Sequence, residues 1–149
     1  MKKNRFSKNW IIKQKRDVYV KKSKLEGYRS RAVYKLEEIN NKFKIIKNNS
    51  LVIDLGAAPG SWSQFISRNF NNSKIISIDL KDIEPIKNLV HIKGDFTDEK
   101  HKINIKNYFG KKVDLIISDM AVNTTGNKSV DSLVTGELCI DAMHFAIEY

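Results

Sequence analysis

The segment most suited to chemistry is Asp54–Trp62, D-L-G-A-A-P-G-S-W. It follows an apolar strand-like run and precedes a helical one. A ligand at the carboxyl end of a parallel strand needs a tight turn and close backbone approach. Gly56 and Gly60 allow both because they carry no Cβ. Ala57 and Ala58 keep the wall low, Pro59 stiffens the loop, and Ser61 and Trp62 open a helix whose free N–H groups face the ligand. The spacing is G-x-x-x-G. It is neither the dinucleotide fingerprint G-x-G-x-x-G nor a Walker loop ending in G-K-[ST], which weakens nicotinamide and nucleoside triphosphate readings. Three further acids fall at the ends of later strand-like runs: Asp79, Asp95 in G-D-F, and Asp119 in S-D-M. An acid in the position of Asp79 accepts hydrogen bonds from ribose hydroxyls in nucleotide-binding folds. Strand-end aspartates also cap helices, and small-residue loops also serve plain packing. Four such acids at successive strand ends, Asp54 included, point to a ligand edge.

These residues need a frame that brings strand ends together. Four short, β-branched, nearly continuous apolar runs supply it: Leu51–Leu55, Ile75–Leu80, Leu89–Ile92 and Val113–Ser118. Such runs suit strands buried on both faces of a parallel sheet. Ser61–Phe70 and Thr97–Tyr108 read as helices or crossovers between them. A last helical pattern runs from about Ser129 to the end, with Leu133, Leu138, Ile140, Met143 and Ile147 among its apolar positions. Upstream, Ser30 reads as an N-cap, followed by an amphipathic stripe of Ala32, Leu36, Ile39 and Phe43. Alternating strands and helices predict an α/β, doubly wound, Rossmann-like fold. Residues 1–27 read as a basic arm and 28–149 as one domain. No internal repeat or low-complexity tract is present.

The 149 residues are enough for one domain with a real core, and 41% hydrophobic content excludes a disordered composition. No apolar run approaches a membrane span, and the N-terminus lacks the apolar core of a signal peptide. One cysteine, Cys139, excludes an internal disulfide framework and fits a reducing, cytoplasmic setting. The net charge is +10, with lysines and arginines crowded into the N-terminal third among Trp10, Tyr19, Tyr28 and Tyr34. Basic residues interleaved with aromatics suit phosphate contacts and base stacking; a solvated basic tail gives the same composition.

The chain resembles the FtsJ/RrmJ (RlmE) family of ribosomal RNA 2′-O-methyltransferases. The segments that carry the resemblance are G-Y-R-S-R-A-V-Y-K-L-E-E-I at Gly27–Ile39, Asp54–Trp62, Ile78–Leu80, Gly94–Phe96 and Ser118–Ala121. It runs from about Trp10 to the last residue. It implies transfer of a methyl group from S-adenosylmethionine to the 2′-hydroxyl of a uridine ribose in large-subunit (23S) ribosomal RNA, on assembled subunits and without a metal. By the same motifs, Gly60 and Trp62 lie in the cofactor loop, Asp79 holds the cofactor ribose and Asp95 reaches the adenine edge. Asp119 sits by the cofactor's amino-acid part and the reaction centre. Lys35 is the first lysine of the family's catalytic set, and Arg29 and Arg31 contact RNA phosphates.

The chain departs from the family in three ways. Ser61 stands where a second glycine is usual, and Val122 where a proline is common. The family's further lysine and its glutamate belong to strands beyond Tyr149, so the expectation is an incomplete sheet of strands one to four. Val113–Ser118 is then an edge, and the chain is marginally stable and weakly active or inactive. Two alternatives stay open. One is a related methyltransferase acting on transfer RNA or messenger RNA caps. The other is a non-catalytic RNA-binding or ribosome-assembly remnant of the same fold.

Overall fold

The structure is a computed structural model that describes residues 17–121 and 125–149. Its strands are β1 (Leu51–Leu55), β2 (Lys74–Asp79), β3 (Leu89–Lys93) and β4 (Leu115–Ser118). Its helices are α1 (Val18–Leu25), α2 (Val33–Phe43), α3 (Ser61–Asn69), α4 (Glu99–Phe109) and α5 (Lys128–Glu148). The strands are all parallel, in the order β3-β2-β1-β4. The order reverses beside β1, and in such sheets ligands bind at the carboxyl ends next to that switch.

Strand pleating divides the core in two. Val52, Ile75 and Ile117 face Val33 and Leu36 of α2 and Trp62, Phe65 and Ile66 of α3. Ile53, Leu55, Ile76 and Ile78 face the other way, against Phe96, Ile105 of α4 and Phe145 of α5. The register is pinned by Ile53 lying opposite both Ile76 and Ile116. All five residues of β1 are buried, as befits a strand with neighbours on both edges and helices on both faces.

Local chemistry sets where the helices begin and end. Asp17, Asp98 and Asn127 are N-caps whose side chains accept backbone N–H bonds from the first turns of α1, α4 and α5. Gly110 ends α4 in the left-handed conformation. α2 closes through Asn40, whose Oδ1 accepts the Ile46 N–H at 2.9 Å.

Two expectations need correction. Ser30 does not cap α2, which starts at Val33 with Ala32 as its cap; the Ser30 hydroxyl instead accepts the Ala32 N–H and pairs with the Ser61 hydroxyl at 2.7 Å. The buried face of α2 is Val33, Leu36 and Asn40, whereas Ile39 and Phe43 face solvent. In α5 the apolar positions Leu133, Ile140, Met143 and Ile147 are exposed, because the helix reaches the sheet through Leu138, Ala142 and Phe145. β4 lies at the sheet edge among the described residues, pairing with β1 alone. Basic residues 1–16 and Val122 lie outside the described residues.

Candidate active site

A cavity of about 540 Å³ opens at the carboxyl ends of the strands. That size suits a small organic ligand. Gly56 and Ala58 come from the loop after β1; Asp79, Leu80 and Lys81 from the end of β2; Gly94, Asp95 and Phe96 from beyond β3; and Asp119, Met120 and Ala121 from beyond β4. Leu138 of α5 completes the wall. Three carboxylates therefore share one partly apolar cleft with a single lysine. Such a lining suits a ligand with hydroxyl or amino donors, a flat apolar part and a positive charge.

Each acid is held differently. Asp79 accepts the Ala58 N–H at 2.9 Å on one oxygen and the Lys81 N–H at 2.8 Å on the other. It thus ties the loop after β1 to the end of β2 and keeps a lone pair on each oxygen for a ligand. One oxygen of Asp95 accepts both the backbone N–H and the hydroxyl of Thr97, at 2.9 and 2.8 Å. The Gly94 N–H bonds the Asp79 carbonyl at 2.9 Å and brings the two acids to one side of the cleft.

Asp119 is ion-paired. The Lys35 ammonium donates to both its oxygens, at 2.7 and 3.1 Å. Lys35 sits in the first turn of α2, and its side chain is 64% exposed against 33% for Asp119. The pair therefore stands at the mouth of the cavity, Asp119 lining it and Lys35 facing solvent.

Asp54 does not line the cleft. It is buried beneath the loop, where one oxygen accepts the Ser63 N–H at 3.1 Å and the Ser63 hydroxyl at 2.7 Å. Burial pushes its carboxyl up to about 7, with the Asp79 and Asp119 charges adding to the rise and the Ser63 bonds opposing it.

Gly60 and Trp62 support the loop from outside the cleft. Gly60 holds φ at +96° just before α3. Trp62 is buried in the α2–α3 core and donates its indole N–H to the Ala32 carbonyl at 2.7 Å. This bond fixes the start of α2, three residues before Lys35. Arg31 pairs with Asp17, and Arg29 bonds the Pro59 and Pro85 carbonyls at 3.1 and 3.2 Å. Among the described residues no cluster of histidine, cysteine, aspartate or glutamate has the geometry to hold a metal ion.

The chain is similar to known proteins over most of its length. A sequence model described as FtsJ-like methyltransferase matches residues 28–149. The chain belongs to the FtsJ-like methyltransferase family. A Pelagibacter ubique protein described as ribosomal RNA large subunit methyltransferase E is 60% identical over 148 residues, which cover 99% of this chain and 73% of that protein. A Rickettsia akari protein of the same description is 47% identical over 95% of this chain and 65% of its own length. A solved Plasmodium falciparum protein described as a ribosomal RNA methyltransferase superposes with a TM-score of 0.75 at 39% identity, covering 82% of this chain and 72% of that one.

Within this FtsJ-like frame, several supporting residues escape a motif reading. A Cβ on Gly56 would lie 2.0 Å from Met120 Cγ, so this glycine makes room for a protein side chain that closes the cleft. A Cβ on Gly94 would lie 2.1 Å from His101 Nε2. The Leu51 N–H is received by the Asp114 carboxylate at 2.7 Å, which ties β1 to the start of β4. No motif spacing signals any of these: Met120 and Asp114 reach their partners from the ends of the neighbouring strand β4, and His101 reaches back to Gly94 from α4.

Proposed function

We propose that this chain carries the methyl-transfer site for the 2′-hydroxyl of a uridine ribose in large-subunit ribosomal RNA, with S-adenosylmethionine as donor. The observation that carries the reading is the Lys35–Asp119 pair at the mouth of a cleft that Asp79 and Asp95 line on its other side. The family and the descriptions of the relatives support it.

The cleft's chemistry fits this donor. S-adenosylmethionine would bring a sulfonium-activated methyl group, so no metal is needed to make that carbon electrophilic. Asp79 keeps two lone pairs for the ribose diol. Asp95 has one oxygen outside its bond to Thr97, an acceptor for an adenine amino group. Ile78, Leu80 and Phe96 offer apolar surface for the base, and Asp119 offers negative charge near a positive amino-acid end. Gly60 and Trp62 act by holding the loop that carries Ala58 rather than by touching the ligand.

Lys35 then does the positioning. An ammonium that spends two N–H groups on a carboxylate keeps its third for the incoming ribose oxygen and stabilises charge as the O–C bond forms. The departing hydroxyl proton has open access to water, because Lys35 is largely exposed. Residues 28–149 form the methyltransferase domain in this reading, and 1–27 a basic arm toward RNA in a cytoplasmic setting.

The test is transfer of labelled methyl from S-adenosylmethionine to intact large subunits, protein-free ribosomal RNA and transfer RNA, with Lys35→Ala as control. Label on a uridine ribose in the large subunit, lost in the variant, is the expected result. Label on transfer RNA or on a base would overturn the substrate assignment. Tight subunit binding without transfer would make the protein an RNA-binding factor instead.

A further inference from the structure

From the structure we infer that Arg29 is a positioning residue for the cofactor cleft, not a contact to RNA phosphate. The inference deepens the proposed reading and rests on it. By sequence Arg29 is one of many cations in a basic N-terminal third. In the structure its guanidinium is already engaged. Nη1 donates to the Pro59 carbonyl at 3.1 Å and Nη2 to the Pro85 carbonyl at 3.2 Å. These are the chain's two prolines, one in each loop that borders the cleft. The Pro59 loop carries Ala58, whose N–H holds Asp79. The Pro85 loop begins at Lys81, which lines the cleft and also bonds Asp79. Arg29 therefore joins from outside the same two loops that Asp79 joins from inside.

Two further contacts show that this geometry is built in. A Cβ on Gly60 would come within 2.8 Å of Arg29 Nη1, so the loop's second glycine clears the path of the guanidinium. The Arg29 main chain is itself fixed, its N–H donating to Gln64 Oε1 at 3.2 Å while Gln64 Nε2 donates to the Gly27 carbonyl at 2.9 Å. A planar fork can serve two carbonyls at a set separation; a lysine ammonium is a point donor on a flexible stem and holds that spacing poorly. Arg29 also lies six residues before Lys35, so one short segment carries both the clamp on the cofactor loops and the group at the reaction end.

The experiment compares the wild-type full chain with Arg29→Ala and Arg29→Lys in three measurements. S-adenosylhomocysteine affinity is taken by calorimetry. Ribosomal RNA affinity is taken across a salt series. Amide hydrogen exchange is followed over residues 56–61, with the melting temperature recorded beside it. The expected result for Arg29→Ala is a dissociation constant for S-adenosylhomocysteine raised about tenfold, with Arg29→Lys between it and wild type. Exchange at Ala58 and Gly60 should speed up while the global melt stays put, and the salt slope for RNA should be unchanged. A phosphate contact gives the opposite pattern: unchanged cofactor affinity and loop exchange, with a salt slope reduced by about one. That pattern would overturn the inference. Failure of the wild type to bind S-adenosylhomocysteine would sink the methyl-donor reading instead, and loop exchange in Arg29→Ala would still decide the clamp.

Discussion

Replacing Lys35 by methionine separates the proposed catalytic role from a structural one, because the two roles predict losses of different size. Methionine keeps the length and apolar stem of lysine and removes only the charge and its donors. The lost ion pair spans 2.7 and 3.1 Å, but its side chains are 64% and 33% exposed. Water screens such a pair, and its contribution to stability falls in the range of about 0–1 kcal/mol. For a chain of this size that is a melting shift of about 2–4 °C at most. Positioning and charge stabilisation at a reacting oxygen are worth far more, about 10²–10⁴ in rate. Lys35→Met should therefore lower single-turnover methyl transfer at least about a hundredfold, roughly 2.7 kcal/mol of barrier, several times the stability the pair supplies. Affinity for S-adenosylmethionine should hold or tighten, since Asp119 keeps its charge and loses its competitor. Lys35→Arg should restore the ion pair but little of the rate, because a guanidinium presents its donors in a different fork. The assay is labelled methyl transfer to large subunits, with thermal melts and calorimetric titration beside it. Retention of more than about a tenth of the rate, or a stability loss that matches the rate loss, would refute the reasoning.

Other substitutions probe the scaffold. Asp54 keeps its proton up to about 7 in the folded chain, against 3.8 as a free side chain, so this group's contribution to stability falls as pH rises across that window. Asp54→Asn should flatten the dependence, by at most about 4 kcal/mol between pH 4 and 8, in urea midpoints taken along the range. Gly56→Ala puts a Cβ 2.0 Å from Met120 Cγ at a φ of +68° and should cost about 1–3 kcal/mol in urea denaturation. Adding Met120→Ala should recover the clash but not the backbone strain. Trp62→Phe removes the 2.7 Å bond to the Ala32 carbonyl and should cost about 1–3 kcal/mol. Its kinetic signature is a fall in turnover larger than the loss of cofactor affinity, because the bond anchors the start of the helix that bears Lys35.

The sequence showed the frame of this site better than its supports, for a physical reason. Burial on both faces writes β1 as an unbroken apolar run, and Leu51–Leu55 is legible to the residue. Asp79, Asp95 and Asp119 are legible as a group because parallel strands deliver their carboxyl ends to one edge. β4 begins two residues later than its apolar run, because the Asp114 side chain turns back to receive the Leu51 N–H. β2 stops at Asp79, and Leu80 beyond it is 70% exposed. The buried face of α2 includes Asn40, a polar residue whose amide closes the helix end, and no apolar periodicity can reveal that. The jobs of Trp62 and Arg29 are set by carbonyls 30 residues away in sequence, which only the folded chain brings near.

The span of the Lys35–Asp119 contact also orders how the site comes together. Asp79 reaches Ala58 across 21 residues of chain, whereas Lys35 reaches Asp119 across 84. Closing a longer loop costs more chain entropy and depends on more of the sheet being in register. The Asp79 side of the cleft is thus a product of one local strand–helix–strand closure, and the Asp119 side of a longer-range one. On a ribosome extending the chain from its N-terminus, the loop after β1 is assembled from residues synthesised well before the last member of the pair. A half-made copy can thus hold the Asp79–Ala58 side of the cleft without yet holding the wall beyond β4 or the Lys35–Asp119 pair.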